Sequence, residues 1–151
     1  SYQRALQLVT KGQFKEAFAL FKEAFYFSFV SELDVDKQQL LGYLKAVRME
    51  MVRRDMIKQE EEQSQSAALK EKNLQMACLF ACNTHLLPNH QKLALRSAMN
   101  LAYKSECAKL AGSLGKRLLS LLNNSEEEAG DEALLKTARK LVSLGLKAEK
   151  E

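Results

Sequence analysis

Apolar side chains return along this chain at intervals of three and four, the period of an α-helix with one buried side. The densest stripe lies in residues 13 to 30, QFKEAFALFKEAFYFSFV, where Phe14, Phe18, Phe21 and Phe25 fall at i, i+4, i+7 and i+11 with Ala17, Ala24 and Ser28 beside them. The pattern predicts a core helix, with rings that need cover and alanines that let a neighbouring backbone come close. Just upstream, Tyr2, Ala5, Leu6, Leu8 and Val9 form a shorter stripe that ends at Lys11 and Gly12, a basic residue and then glycine, as helices commonly close. Together they predict a helical hairpin.

Ser31, Asp34 and Asp36 supply turn and cap residues before a long helix whose core stripe is Leu40, Leu44, Val47 and Met51. A second stripe on that helix, Met49, Val52 and Met56, points away from the first, so the helix is either buried on two sides or offers a partner surface. Gln59 to Ser66, QEEEQSQS, reads as a frayed helix end and an exposed loop. Leu69, Leu74, Ala77, Cys78, Ala81 and Cys82 then predict a helix running to about His85, and Pro88 opens the next, whose buried side is Leu95, Ala98, Met99, Ala102 and Tyr103. Ala108, Ala111, Leu114, Leu118 and Leu121 pattern a sixth helix ending at Asn123 and Asn124. After Glu126, Glu127 and Glu128, the stripe Ala133, Leu134, Ala138, Leu141 and Val142 patterns a seventh.

Gly12, Phe14, Ala17, Phe21 and Ala24 match the second half of a tetratricopeptide unit in order and spacing, while later pairs keep only the alanine-rich packing. The expectation is an all-α fold: an irregular α-solenoid of about seven helices in antiparallel pairs, with a tetratricopeptide-like first hairpin. One proline and six glycines agree, since a sheet fold of this length needs more turn residues. A length of 151 residues suits one domain, residues 1 to 151. The chain opens at Ser1 on a helix already under way, which suggests a fragment of a larger subunit.

Charge changes the picture little. The formal net charge is +4, with acidic residues mixed among the basic ones. The densest basic stretch, Lys45, Arg48, Arg53, Arg54 and Lys58, is interrupted by Glu50 and Asp55 and lacks an aromatic platform, so it reads as a solvated helix face rather than a nucleic-acid surface. Three cysteines, two of them in an apolar helical pattern, fit reduced buried thiols in a cytosolic protein better than a disulfide framework. No apolar run approaches the roughly 20 residues needed to cross a bilayer.

One constellation invites chemistry: Cys78, Cys82, His85 and His90, four zinc-type ligands within thirteen residues. The spacing argues against a site, because neither a tight Cys-x-x-Cys knuckle nor well-separated ligand segments are present, and both cysteines fall in the stripe the helix must bury. No Gly-x-Ser-x-Gly elbow, phosphate loop or His-Glu-x-x-His pair occurs, and the carboxylate runs Glu60 to Glu62 and Glu126 to Glu128 are polar throughout. The sequence predicts neither an enzyme nor a cofactor or metal site. Asn123-Asn124-Ser125 is a formal glycosylation sequon, taken as chance in a loop.

Three segments carry a family resemblance: SYQRALQLVTKGQFKEAFALFKEAF at the start, LLPNHQKLALRSAMNLAYKSE at residues 86 to 106, and LLKTARKLV at residues 134 to 142. In that order they resemble the C-terminal region of the alpha subunit of coatomer, along nearly the whole chain. The resemblance implies a non-catalytic scaffold piece of the COPI vesicle coat, working in Golgi-to-ER and intra-Golgi transport. It implies a cytoplasmic location, peripheral on Golgi membranes and vesicles, with the membrane met only indirectly through the assembled coat. It also implies contact with other coatomer subunits, above all the epsilon subunit, through a Cys-rich β portion that follows in the family and is absent here. Cys78 and Cys82 inherit no role. The second stripe, Met49, Val52 and Met56, is the candidate partner surface on this chain. The alternative is a peptide-binding tetratricopeptide-type domain of another cytosolic scaffold, which should line a concave groove with Asn, Lys and Arg.

Overall fold

The structure, a computed structural model, describes residues 2–30, 36–60, 67–123 and 132–150. Ser31 and Asp34, residues 61–66 of the polar stretch, and 124–131 with Asn124 and Ser125 of the sequon and the Glu126 to Glu128 run lie outside the described residues. The described residues form seven helices and no strand: α1 Tyr2–Thr10, α2 Phe14–Val30, α3 Lys37–Glu60, α4 Ala67–Ala81, α5 Pro88–Lys104, α6 Ala108–Asn123 and α7 Glu132–Glu149. Each packs mainly on the next in sequence, the arrangement of a solenoid, and α1 also returns to touch α5. Side chains from all seven join one buried cluster.

The α1 to α2 turn follows from Gly12. Its φ of 76° is the left-handed conformation that glycine adopts without steric cost. Gly12 N–H donates to Val9 O at 3.0 Å and Gln13 N–H to Leu8 O at 2.9 Å, so the last carbonyls of α1 are capped and the chain is turned back. Asp36 caps α3 as expected, its Oδ1 accepting from the Gln38 and Gln39 N–H groups at 3.1 Å each.

The α5 to α6 turn has the same bonding without a glycine. Glu106 N–H donates to Tyr103 O and Cys107 N–H to Ala102 O, while Glu106 itself holds φ at 63°. A side chain in this region costs about 1 kcal/mol relative to glycine. Glu106→Gly should therefore raise unfolding free energy by about 1 kcal/mol in a urea titration; an unchanged or lower midpoint would contradict that strain.

The core has an aromatic spine. Phe21 stacks on Tyr43 with ring centroids 5.1 Å apart, Tyr2 meets Phe21 edge-on at 5.8 Å, and Tyr43 meets the His90 ring edge-on at 5.5 Å. The spine ties α1, α2, α3 and α5 together. Phe14 and Phe21 are buried, and Phe18 and Phe25 pack against the cluster partly covered. Farther along α2 the cover ends: Tyr26, Phe27 and Phe29 are 59–64% exposed. The α4 helix stops at Ala81, short of His85. Asn83 is the reason: its side-chain carbonyl accepts from His85 N–H at 2.9 Å, a local bond that competes with helix continuation.

At the other end, α6 and α7 approach backbone to backbone. Gly112, Gly115 and Gly145 line the contact, and a Cβ built on Gly145 would lie 2.9 Å from Gly112 Cα and 3.0 Å from Ala108 O. These glycines set the distance between the two helices.

Candidate interaction surfaces

The polar groups that could do chemistry are spent on holding helices together. His90, 2% exposed, sits where α1, α3 and α5 meet. Leu87 N–H donates to the Tyr43 hydroxyl at 2.8 Å, and the Tyr43 oxygen lies 2.5 Å from His90 Nδ1. The arrangement that satisfies every group has the Tyr43 hydroxyl proton donated to Nδ1, with the imidazole neutral and protonated on Nε2; the ring's two contacts alone do not fix the tautomer. Nε2–H then faces Thr10 Oγ1 at 2.9 Å, and the threonine hydroxyl donates to Leu6 O at 3.3 Å. Burial raises the Tyr43 pKa to about 12 against the opposing effect of the Leu87 N–H. Burial likewise pushes His90 below its ordinary 6.5, with a bond to the Leu6 carbonyl opposing.

A pH dependence follows. Near pH 6 the unfolded chain binds a proton at His90 that the folded chain refuses, so the stability from this group is fully present above pH 6.5 and is lost as pH falls below it. Urea midpoints should drop between about pH 7.5 and 5.5, above the carboxylate range. His90→Gln should flatten that drop while lowering the midpoint at about pH 7.5; an unchanged slope would remove His90 as its source.

A second polar node corrects the expectation of a solvated basic face on α3. Glu50 is 3% exposed and takes Arg53 on both carboxylate oxygens, with Arg54 Nε 3.5 Å away. Arg53 Nη1 also donates to Asn73 Oδ1 on α4 at 3.0 Å, and Arg54 donates to Gly12 O at 3.1 Å with its guanidinium 4.3 Å from the Phe14 ring centre. Two of the five basic residues are thus clamps to α4 and to the α1–α2 turn, because a buried carboxylate must be paired.

The structure does not bring the four zinc-type candidates together. His90 faces Tyr43 and Thr10, His85 lies exposed over Gly42, and Cys78 and Cys82 look into a groove. The cysteines also differ from the expectation of buried thiols. The core side of α4 is Asn73, Leu74, Ala77, Phe80 and Ala81, turned to α3 and α5, which leaves Cys78, Leu79 and Cys82 on its open flank. The groove there, about 1260 Å³, runs between α4 and the α5–α6 turn, with Leu101 and Cys107 on its far side. Burial and the neighbouring Cys82 and Cys107 hold the Cys78 thiol above its usual range, the opposite of an activated nucleophile.

Of the expected partner stripe, Val52 stands 52% exposed, whereas Met49 and Met56 are half-buried and Met49 packs against the core cluster. A more exposed apolar area, missed in the sequence, is the end of α2 with Tyr26, Phe27 and Phe29. The signal was present: at 100° per residue, adjacent aromatics from Phe25 to Phe29 cannot share one side of a helix.

The family described as the C-terminus of the coatomer (COPI) alpha subunit matches residues 1–147. No curated protein matches the chain. The family match spans nearly the whole sequence, and the chain belongs to that family.

Proposed function

We propose that this coatomer alpha-subunit region is a rigid adaptor module that joins coat subunits by surface contact in Golgi-to-ER and intra-Golgi vesicle transport. The carrying observation is the family match across residues 1–147. What supports a structural rather than a chemical role is the use of the buried ionisable groups: His90 and Tyr43 bridge helices, and Glu50 holds Arg53, which reaches Asn73 on α4. No described helix is long and apolar enough to cross a membrane. The module would act on the cytoplasmic side as part of the coat, with the epsilon subunit as its foremost partner and no nucleic acid, cofactor or metal involved.

Met49, Val52 and Met56 on α3 are the proposed epsilon contact, where exposed Val52 is flanked by two polarizable side chains able to reshape against a partner. Val52→Glu with Met56→Glu, which spares core-packed Met49, should leave helicity intact and weaken epsilon binding by tenfold or more, about 1.4 kcal/mol, measured in the full alpha subunit. Unchanged affinity would remove this surface. The peptide-clamp alternative gains little from the observed groove: Lys70, Asn73 and Lys104 are in its lining, but Asn73 is already bonded to Arg53, Glu71 and Glu106 stand beside the two lysines, and cysteines and leucines make up much of the rest.

A further inference from the structure

The near balance of charge along the whole sequence conceals its distribution. On α7, Lys136, Arg139, Lys140 and Lys147 are all exposed, as is Lys150 just beyond the helix. Their spacing, i, i+3, i+4, i+11 and i+14, is that of a single helical stripe, with Ser143 filling the gap at i+7. The opposite side, Ala138, Leu141 and Gly145, is the one buried against α6. Of the acidic residues of α7, Glu132 stands one turn before Lys136 at the head of the same stripe, and Glu149 about a third of a turn off it. No ion pair among the described residues engages any of the five cations. Of the remaining acids of this part of the sequence, Glu126, Glu127, Glu128 and Asp131 precede the helix and Glu151 follows Lys150.

We infer that, contrary to the purely indirect membrane contact the family resemblance implies, the outward face of α7 is a direct electrostatic contact for a bilayer surface carrying anionic headgroups. The stripe extends about 20 Å at 1.5 Å per residue, a row of positive charge on the last described helix with α6 behind it. Its chemistry favours a hydrated surface over a protein partner. Four of the five cations are lysines, compact charges without the bidentate fork that selects individual carboxylates. No aromatic residue stands on α7, and Leu146 is its one large exposed apolar side chain, so the desolvated centre of a protein interface is missing. Lysines beside anionic lipid gain from the field of the whole surface and need no fixed partner. A vesicle coat places such a surface within reach, and to that extent the inference rests on the coat reading.

Co-sedimentation of the purified 151-residue chain with vesicles tests it using lipid alone, so a negative result leaves the epsilon contact untouched. The chain should bind phosphatidylcholine vesicles containing about 30% phosphatidylserine, ignore pure phosphatidylcholine, and release as salt rises from about 0.05 to 0.5 M. K136E/R139E/K140E should lower partitioning by more than about a hundredfold, since losing each surface cation costs about fivefold and the three new anions are repelled. The neutral K136Q/R139Q/K140Q guards against a reversal variant that fails to fold and should lose binding in the same direction. K45E/R48E changes the net charge on α3 and should bind much more nearly like wild type. Equal binding to neutral vesicles, indifference of the α7 variants, or an equal loss in the α3 variant would each overturn the proposal. So would retention by polyglutamate but not by anionic vesicles with the same α7 dependence, which would assign the face to an acidic protein.

Discussion

Phe21→Ala should lower the unfolding free energy by about 3–5 kcal/mol, the range for deleting a large buried ring. Phe21 is fully buried and stands second in a line of rings from Tyr2 through Tyr43 to His90. Removing it opens a void between α1, α2 and α3 and leaves Tyr43 without its stacking partner, so the polar bridge that Tyr43 makes to Leu87 and His90 loosens as well. Phe29→Ala removes the same atoms from a site that is 64% exposed and should cost well under about 1 kcal/mol. Urea titrations of the two variants measure the contrast directly. Equal losses would show that the α2 rings are buried alike and that the spine has no special standing.

The second large effect is expected at the far end of the fold. Gly145→Val should destabilise by about 3 kcal/mol, the upper part of the range for overfilling a packed contact. Helix propensity favours replacing glycine by about 1 kcal/mol for alanine and by less for valine, so propensity and packing oppose each other here. Packing wins because the added Cβ meets backbone, Gly112 Cα and Ala108 O, rather than a side chain that can rotate away. Helices α6 and α7 would have to separate, exposing Leu114, Leu118 and Leu141. Ser113→Val on the exposed side of α6 is the control and should change stability little. A stable Gly145→Val variant would mean that the pair can slide apart without loss.

The class of fold and the number of helices were legible because burial imposes a period, and the stripes Leu40, Leu44, Val47 and Met51 or Ala111, Leu114 and Leu118 lie where the period puts them. Tyr43 was not legible. It falls at the right spacing from Leu40 and Val47, but an amphipathic side chain reads equally well as surface, and only the converging Leu87 N–H and His90 ring make its burial favourable. Glu50 was hidden for the same reason: an acid followed by two arginines looks like a solvated helix pair until Asn73, far along the sequence on α4, is seen to complete its surroundings. Close approach by glycine leaves no trace in a hydrophobic pattern, so the α6 to α7 contact was silent. The exposed end of α2 and the open flank of α4 were misread because periodicity reports which side of a helix is apolar, not how far its neighbour extends along it.

Titration of purified epsilon subunit into the full alpha subunit tests the adaptor role most directly. Saturable one-to-one binding, weakened by Val52→Glu with Met56→Glu and unaffected by Glu106→Gly, is the predicted result; absence of any binding by the wild-type subunit would contradict it.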